Sequence, residues 1–473
     1  MTTATPIGQD EWARRSLERT EARNGLRRLV DTAAAKVPWH LRLLACLVLA
    51  ALVPAVTSSS YILTVGVNTT LLAMLCLGLN VVVGWSGLLD LGYMAFYGLG
   101  AYFYSILSSD QLNVPAGIHL PTLASVPIAV VANGVIGLLV GLTSRRVADA
   151  YLAVVTLFFG EIFLEVVNNV APLVTGGPNG IPNVDPFSLF GPSLTTVEEY
   201  YLFTLVACGA LILLLRSLEG SRIGRAWRAV REDDLAAGFA TIPVQRVKIY
   251  AFVFGAMVAG FAGCIFAAFE TGTYPTDFGT SELFLMYAAL ILGGLGSIAG
   301  ACIGAVVISV GLELLQSTTY STGLFLGAIA LTLLARIRPW RRLVALVAGL
   351  IGFGLALHAV VAALTTVGSA VGGTSALARA INAWLVVPAS PGPAGNWAYV
   401  GMLAVIVTGV CYPRLRRLPL LVPALYLAAF VWETTLVPNP STTSDLLLGG
   451  LLIVVMILRP RGLLGTMPKE VPT

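Results

Sequence analysis

The sequence predicts an all-α polytopic membrane protein, with about 14 apolar segments of spanning length and both termini cytoplasmic. Three observations carry the prediction. Of 473 residues, 57% are apolar and 11% charged, whereas soluble domains carry about a quarter charged residues. Apolar runs near the ~20 residues needed to cross a hydrocarbon layer recur along the chain. Arg and Lys collect in every second loop, as they do in cytoplasmic loops.

Residues 1–40 form a polar, basic tail containing Arg14, Arg15, Arg19, Arg23, Arg27, Arg28 and Lys36. It is too long and too charged for the n-region of a signal peptide. It is either a solvated cytoplasmic tail or one that carries a short surface helix. The apolar segments follow at 41–57, 61–84, 88–108, 122–142, 150–170, 199–216, 247–269, 283–299, 300–316, 321–336, 343–366, 397–411, 419–437 and 445–459. The run 283–316 is interrupted by a Gly-rich stretch at 293–300. Such a break is tolerated where the backbone packs on protein, and the run counts as two segments.

With the N-terminus inside and the spans alternating, Arg145 and Arg146, the loop 216–248, residues 336–342, Arg414, Arg416 and Arg417, and Arg459 and Arg461 all fall inside. The loops 109–121, 171–198, 271–281, 367–396 and 438–444 fall outside, and Arg379 is their only basic residue. That sorting supports both the count and the orientation. The chain then divides into the tail 1–40, a core 41–336 with an inside loop at 217–246, a further membrane-spanning portion 337–442, and a last span with its tail at 443–473.

Several chemistries are excluded. No Lys follows a Gly anywhere, so the chain carries no phosphate-cradling GxxxxGK loop and hydrolyses no ATP by that route. There is no GxSxG elbow and no HExxH pair. His40, His119 and His358 are scattered. Cys46, Cys76, Cys208, Cys264, Cys302 and Cys411 form no CxxC pair, which makes them small apolar residues and not metal ligands or disulfide partners. Of the 28 basic residues 25 are Arg. They sit at segment ends, a signature of topology and not of nucleic-acid binding.

The inside loop stands apart. It holds Arg222, Arg225, Arg228, Arg231, Glu232, Asp233, Asp234, Arg246 and Lys248 between two long apolar segments. Charge alone leaves two readings: a docking helix that passes force from a soluble partner, or an ordinary basic loop that sets orientation. Carboxylates also lie in or beside the spans: Asp90, Asp149, Glu161, Glu165, Glu270, Glu282, Glu313 and Glu433. Such groups are costly in lipid and face the bundle interior or a water-filled path. Glu161 and Glu165 are four apart and share a helix face. They either line a path or hydrogen-bond a neighbouring helix. Glycines at 92, 98, 100, 255, 260, 263, 293, 294, 296, 300 and 304 allow close helix packing.

Five stretches in this order carry a family resemblance: 78–107, 149–169 followed by Thr-Gly-Gly-Pro-Asn-Gly-Ile at 175–181, the loop and helix from 232 to 263, 290–316, and 446–465. On these the chain resembles the permease subunits of branched-chain amino acid ABC importers, a group shared with urea and amide importers. The resemblance covers residues 60–335 and 443–466. Glu232, Ala236, Ala237, Arg246, Val247 and Lys248 match the family's loop pattern. Two details depart from it: Asp149 and Ala150 stand before Tyr151, and Phe239, Ala240 and Thr241 stand where a Met-Gly or Leu-Gly step is usual. The portion 337–442 is a larger departure, with three extra apolar segments.

The resemblance implies a coupling segment in which Arg228, Arg231, Glu232, Asp233, Ala236, Ala237 and Gly238 meet an ATPase. It implies an outer loop, Thr175, Gly176, Gly177, Pro178, Asn179 and Gly180, that meets a solute-binding protein. Candidate path residues are Asn80, Asp90, Tyr93, Glu161 and Asn168. The expected partners are a second homologous permease, two ATPase subunits that carry ATP and Mg, an extracytoplasmic solute-binding protein, and an amino-acid or amide solute. No cofactor or metal is expected on this chain, and a bacterial cytoplasmic membrane is its expected location. An ion-gradient-driven secondary transporter using Glu161 and Glu165, or a non-transporting membrane scaffold, are the readings from other classes.

Overall fold

Glycine-lined crossings set the arrangement of the helices. The computed structural model describes residues 39–57, 59–110, 119–143, 149–170, 172–188 and 193–316, and shorter pieces at 346, 348–356, 367–368, 387–388, 401, 417–432, 449 and 462–464. The helices are α1 (Trp39–Ala51), α2 (Ser60–Leu79), α3 (Tyr93–Ser108), α4 (Thr122–Thr143), α5 (Asp149–Glu165), α6 (Val197–Gly220), α7 (Arg222–Glu232), α8 (Asp234–Phe239), α9 (Val244–Phe269), α10 (Thr280–Gly293), α11 (Ile298–Gln316) and α12 (Arg417–Val431). Helices α2 and α5 each widen into a π-helical turn, Asn80–Trp85 and Val166–Val170.

Among the described residues, five helical stretches are long and apolar enough to cross a membrane: Ser60–Trp85, Thr122–Thr143, Tyr151–Val170, Val197–Gly220 and Val244–Phe269. The 26 residues of Ser60–Trp85 reach ~39 Å, more than a hydrocarbon layer of ~30 Å. Helix α9 is the centre. Its apolar window is 67% buried, against 28% for Tyr151–Val170, and its most extensive neighbours are α3 and α4. Helix α2 packs on α6 and α11, and α10 on α11.

Small residues make these approaches possible. A Cβ on Gly100 of α3 would run into the Gly260 backbone of α9, and one on Gly137 of α4 would sit 3.0 Å from the Phe252 carbonyl. Gly100→Ala is therefore expected to destabilise the chain by about 1–3 kcal/mol, read as a lowered Tm in detergent. Gly220→Ala, with open space around it, serves as the neutral control. An unchanged Tm for Gly100→Ala would remove the close-packing account.

Two expected spans differ in detail. The segment 88–108 is helical only from Tyr93. Residues 88–91 have no regular structure, and the Asp90 carbonyl accepts a bond from Tyr287 Oη (2.6 Å) in place of a helical one. The segment 283–299 ends early, because α10 stops at Gly293 and Gly294 and Gly296 take positive φ values of 116° and 83°. Helices α3 and α10 hold 16 and 14 residues, too short to span a membrane of ~30 Å alone.

The two ends of the bundle are distinct. At one end a small ladder pairs β1 (Ile181–Pro182) with β2 (Gly272–Thr273) in antiparallel register, Ile181 opposite Thr273. At the other end α7 and α8 form a bent pair between α6 and α9. In the portion 337–442, the described pieces are helical residues at 348–356, α12, and the pairing of Val367–Gly368 with Val387–Pro388. The tail 1–38 and the expected span 321–336 lie outside the described residues, as do nearly all of 397–411 and 445–459.

Candidate functional site

Helix α7 is amphipathic by spacing. Gly224, Trp227 and Val230 fall at i, i+3, i+6 and are buried, while Arg222, Arg225, Arg228 and Glu232 face outward. Ser221 caps its start, accepting from Gly224 N at 3.2 Å. Asp233 ends α7 and starts α8, and its Oδ1 accepts from Leu235 N (2.8 Å) and Ala236 N (3.0 Å). An Asp at this position satisfies orphan helix donors, so it shapes the corner. Past the corner Ala237 is buried, whereas Ala236 and Gly238 are exposed. Leu235 is 77% exposed and Phe239 89%.

The buried face of α7 ties this segment to the bundle. Trp227 Nε1 donates to the Val247 carbonyl (2.9 Å) at the start of α9. Its ring lies 6.1 Å from Trp85 and 6.4 Å from Phe254. The Arg231 guanidinium donates to the Gly84 carbonyl, and a Cβ on Gly87 (φ 75°) would lie 3.0 Å from Arg231 Cγ. Partial burial lowers the Arg231 pKa, with Glu232 opposing the shift. A guanidinium stays charged even so. Lys248, 4% exposed, pairs with Asp234 and fastens α8 to α9. Arg228 lies outside this contact, with its guanidinium on the Glu219 carbonyl.

Behind α7 lies the break between α10 and α11. Trp85 Nε1 donates to the Gly296 carbonyl (3.1 Å), and Gly296 N donates to Asn80 Oδ1 (2.8 Å). Trp227, Trp85 and Gly296 thus form a contiguous route from the charged segment into the bundle.

Among the described residues, the five path candidates have separate surroundings. Asn80 is bound to Gly296, as above. Tyr93 is fully buried and donates to the Gly255 carbonyl (3.1 Å) of α9. Asp90 is fully buried as well. Its Oδ1 accepts from Gly92 N (3.0 Å), and its Oδ2 has no partner among the described residues. Glu161 and Glu165 are exposed on α5, and Glu165 Oε1 accepts from Asn169 Nδ2 (2.9 Å). Asn168 bonds the Leu164 carbonyl of its own helix (2.9 Å).

A cleft of about 360 Å³ opens elsewhere, between α2, α3, α10 and α11. Apolar Leu72, Met94 and Leu285 line it together with Asp277, Glu282 and Glu313, and none of the five candidates does. Asp277 and nearby Glu270 sit at the β-ladder end. Partial desolvation raises the Asp277 pKa, with bonds from the Tyr274 backbone and Thr276 offsetting part of the rise. Glu270 is raised by desolvation and then by Asp277.

The sign of the pH dependence follows. Two carboxyls raised on folding hold protons longer in the folded chain than in the unfolded one. Their contribution is fully present below the unfolded pKa and is lost as pH rises through the folded pKa. Asp277→Asn is expected to flatten the loss of stability with rising pH above ~4, measured as Tm against pH. An unchanged profile would contradict the assignment.

At the same end the glycines of 175–180 set a tight turn. Gly176, Gly177 and Gly180 have φ of 74°, 60° and 66°, the region glycine reaches without strain. Thr175 Oγ1 donates to the Val167 carbonyl (2.7 Å). Gly180 N donates to the Gly177 carbonyl (3.1 Å). Pro178 and Asn179 are exposed at the tip.

The family described as the permease component of branched-chain amino acid transport systems matches residues 61–335, more than half of the chain and the part that holds both the α7–α8 segment and the Gly-rich break. The chain belongs to this permease family. It is 34% identical over 318 residues to the high-affinity branched-chain amino acid transport system permease protein LivM of Salmonella typhimurium (62% of this chain, 72% of that protein). It is 35% identical over the same length to LivM of Escherichia coli K12, with the same coverage. The LivH permease protein of the latter is 28% identical over 263 residues, 53% of this chain and 83% of LivH. No solved structure matches the chain. Family and apolar helices together make it a multi-pass membrane permease.

Sequence reading missed the permease's exposed pair Leu235 and Phe239 and the Trp227–Trp85–Gly296 route. Two apolar residues in a polar loop were the available signal for the first. Nothing local signals the second, because Trp85 and Gly296 lie far apart in sequence.

Proposed function

We propose that the chain is the permease subunit of an ATP-driven importer in a bacterial cytoplasmic membrane, carrying branched-chain amino acids. The exposed α7–α8 segment, tied to the bundle by Trp227 and Arg231, is the observation that carries this reading. Two separate ATPase subunits, which bind ATP and Mg, grip Arg228, Glu232, Ala236 and Gly238. Arg231, Asp233 and Ala237 give that surface its shape. A second homologous permease completes the membrane part, in line with the similarity to both LivM and LivH.

In this reading the chain has about 14 spans and both termini in the cytoplasm, with α7 and α8 inside and the β-ladder end outside. The turn at 175–180 meets an extracytoplasmic solute-binding protein through Pro178 and Asn179. Asn80, Asp90, Tyr93, Glu161 and Asn168 remain the polar framework proposed for the path, and the cleft beside Met94 and Leu285 is a separate candidate surface for the solute. Apolar walls with a few polar groups suit an aliphatic amino acid.

Uptake of radiolabelled leucine and of urea, in cells with and without this chain, tests the solute. Leucine uptake that depends on the chain and survives an uncoupler while ATP is maintained supports the proposal. Chain-dependent urea uptake would replace the solute, and uptake that collapses with the ion gradient would replace the mechanism.

A further inference from the structure

Helix α10 ends inside the protein, and its end is closed by residues more than 160 positions away. The last four carbonyls of a helix have no partner within it, and buried ones must find one elsewhere. Leu292 and Gly293 are buried. Their carbonyls accept from Leu463 N (2.9 Å) and Leu464 N (2.9 Å). Gly462 makes that fit possible. It is buried with φ of 66°, and a Cβ there would lie 2.5 Å from the Ile291 carbonyl and 2.7 Å from Gly294 Cα. The side chains of Leu463 and Leu464 are 40% and 42% exposed. The closing bonds are made by backbone N–H groups, while both leucines remain partly exposed.

The capped end adjoins the break that the coupling route reaches. Gly294 and Gly296 have positive φ, and Gly296 is held between Trp85 and Asn80. Trp85 in turn contacts Trp227 of α7, the rings tilted by 34°. We infer that residues 462–464 are a positioning segment, which caps α10 from a distant part of the same chain and holds the α10–α11 break in register for force arriving through Trp227 and Trp85. The cap itself rests on geometry alone; its part in coupling rests on the importer reading above.

Two measurements separate these. Amide hydrogen exchange on the full-length chain in nanodiscs tests the cap, whether or not an ATPase is present. Leu463 and Leu464 amides are expected to be protected, and Gly462→Ala to speed their exchange at least about tenfold. Amides that exchange freely in the unaltered chain would overturn the cap. Leucine uptake per ATP hydrolysed, in the complete complex, tests positioning. Gly462→Ala and Leu464→Pro are expected to lower that ratio at least about fivefold while ATPases still co-purify. The double variant Leu463→Ala, Leu464→Ala keeps both N–H groups and is expected to leave it unchanged.

A ratio unchanged by Gly462→Ala and Leu464→Pro, or lowered equally by the alanine pair, would overturn the positioning role. If no ATPase co-purifies with the unaltered chain, the importer reading fails and the positioning role fails with it, and the exchange result still decides the cap.

Discussion

Replacing Leu235 and Phe239 together with aspartate is expected to abolish ATP-driven uptake while leaving the permease folded in the membrane. Both side chains stand free of the bundle, at 77% and 89% exposure, so their loss removes no core packing. They flank Ala236 and Gly238, exposed small residues that leave room for a partner surface to close over α8. Apolar anchors at an interface centre contribute ~2 kcal/mol or more each, and each 1.4 kcal/mol is tenfold in affinity. A loss of about 100-fold or more in ATPase affinity follows if both anchor. The checks are co-purification of ATPase subunits, leucine uptake, and the Tm of the purified chain. Loss of the first two with an unchanged Tm is the expected pattern; unimpaired co-purification would show that α8 is not the docking surface.

Trp227→Ala is expected to act differently, with ATPases still bound but their work no longer reaching the bundle. Trp227 is 2% exposed and connects three elements: its indole N–H holds the Val247 carbonyl of α9, and its ring contacts Trp85 and Phe254. Truncating a buried Trp costs about 3–5 kcal/mol, and the Val247 carbonyl loses its side-chain donor. A lower Tm and uptake reduced at least about tenfold are expected, with ATP hydrolysis persisting. Trp227→Phe keeps a ring and loses the donor, so it should fall between. Full uptake per ATP in Trp227→Ala would contradict the route through Trp85.

The helical class, the apolar runs that form the five spanning-length helices among the described residues, and the charged helical stretch after α6 were legible in the sequence, because composition and run length are local properties. The Gly-rich turn at 175–180 was legible for the same reason: its glycines take the positive φ values such a cluster suggests. The helix ends at Tyr93 and Gly293 were not. Residues 88–91 look as apolar as a span, and their non-helical backbone partners, Tyr287 on the Asp90 carbonyl and Thr156 on Leu91 N, lie 197 and 65 residues away. The end of α10 is likewise closed by Leu463 and Leu464.

Path residues were the hardest to read. Asn80, Tyr93 and Glu161 are all polar residues in apolar runs, and sequence does not distinguish them. In the structure Asn80 and Tyr93 are occupied with backbone partners, whereas Glu161 is exposed on the outer helix α5. The carboxylates that line the cleft beside Met94 and Leu285, Asp277, Glu282 and Glu313, come from three separate elements, so no sequence spacing unites them.

The most direct measurement is gentle purification of a tagged full-length chain from its native membrane, followed by mass spectrometry of what accompanies it. The account predicts two ATPase subunits and a second permease of the same family, all lost from the Leu235→Asp, Phe239→Asp variant except the second permease. Recovery of the unaltered chain alone, stable and active in leucine transport, would contradict it.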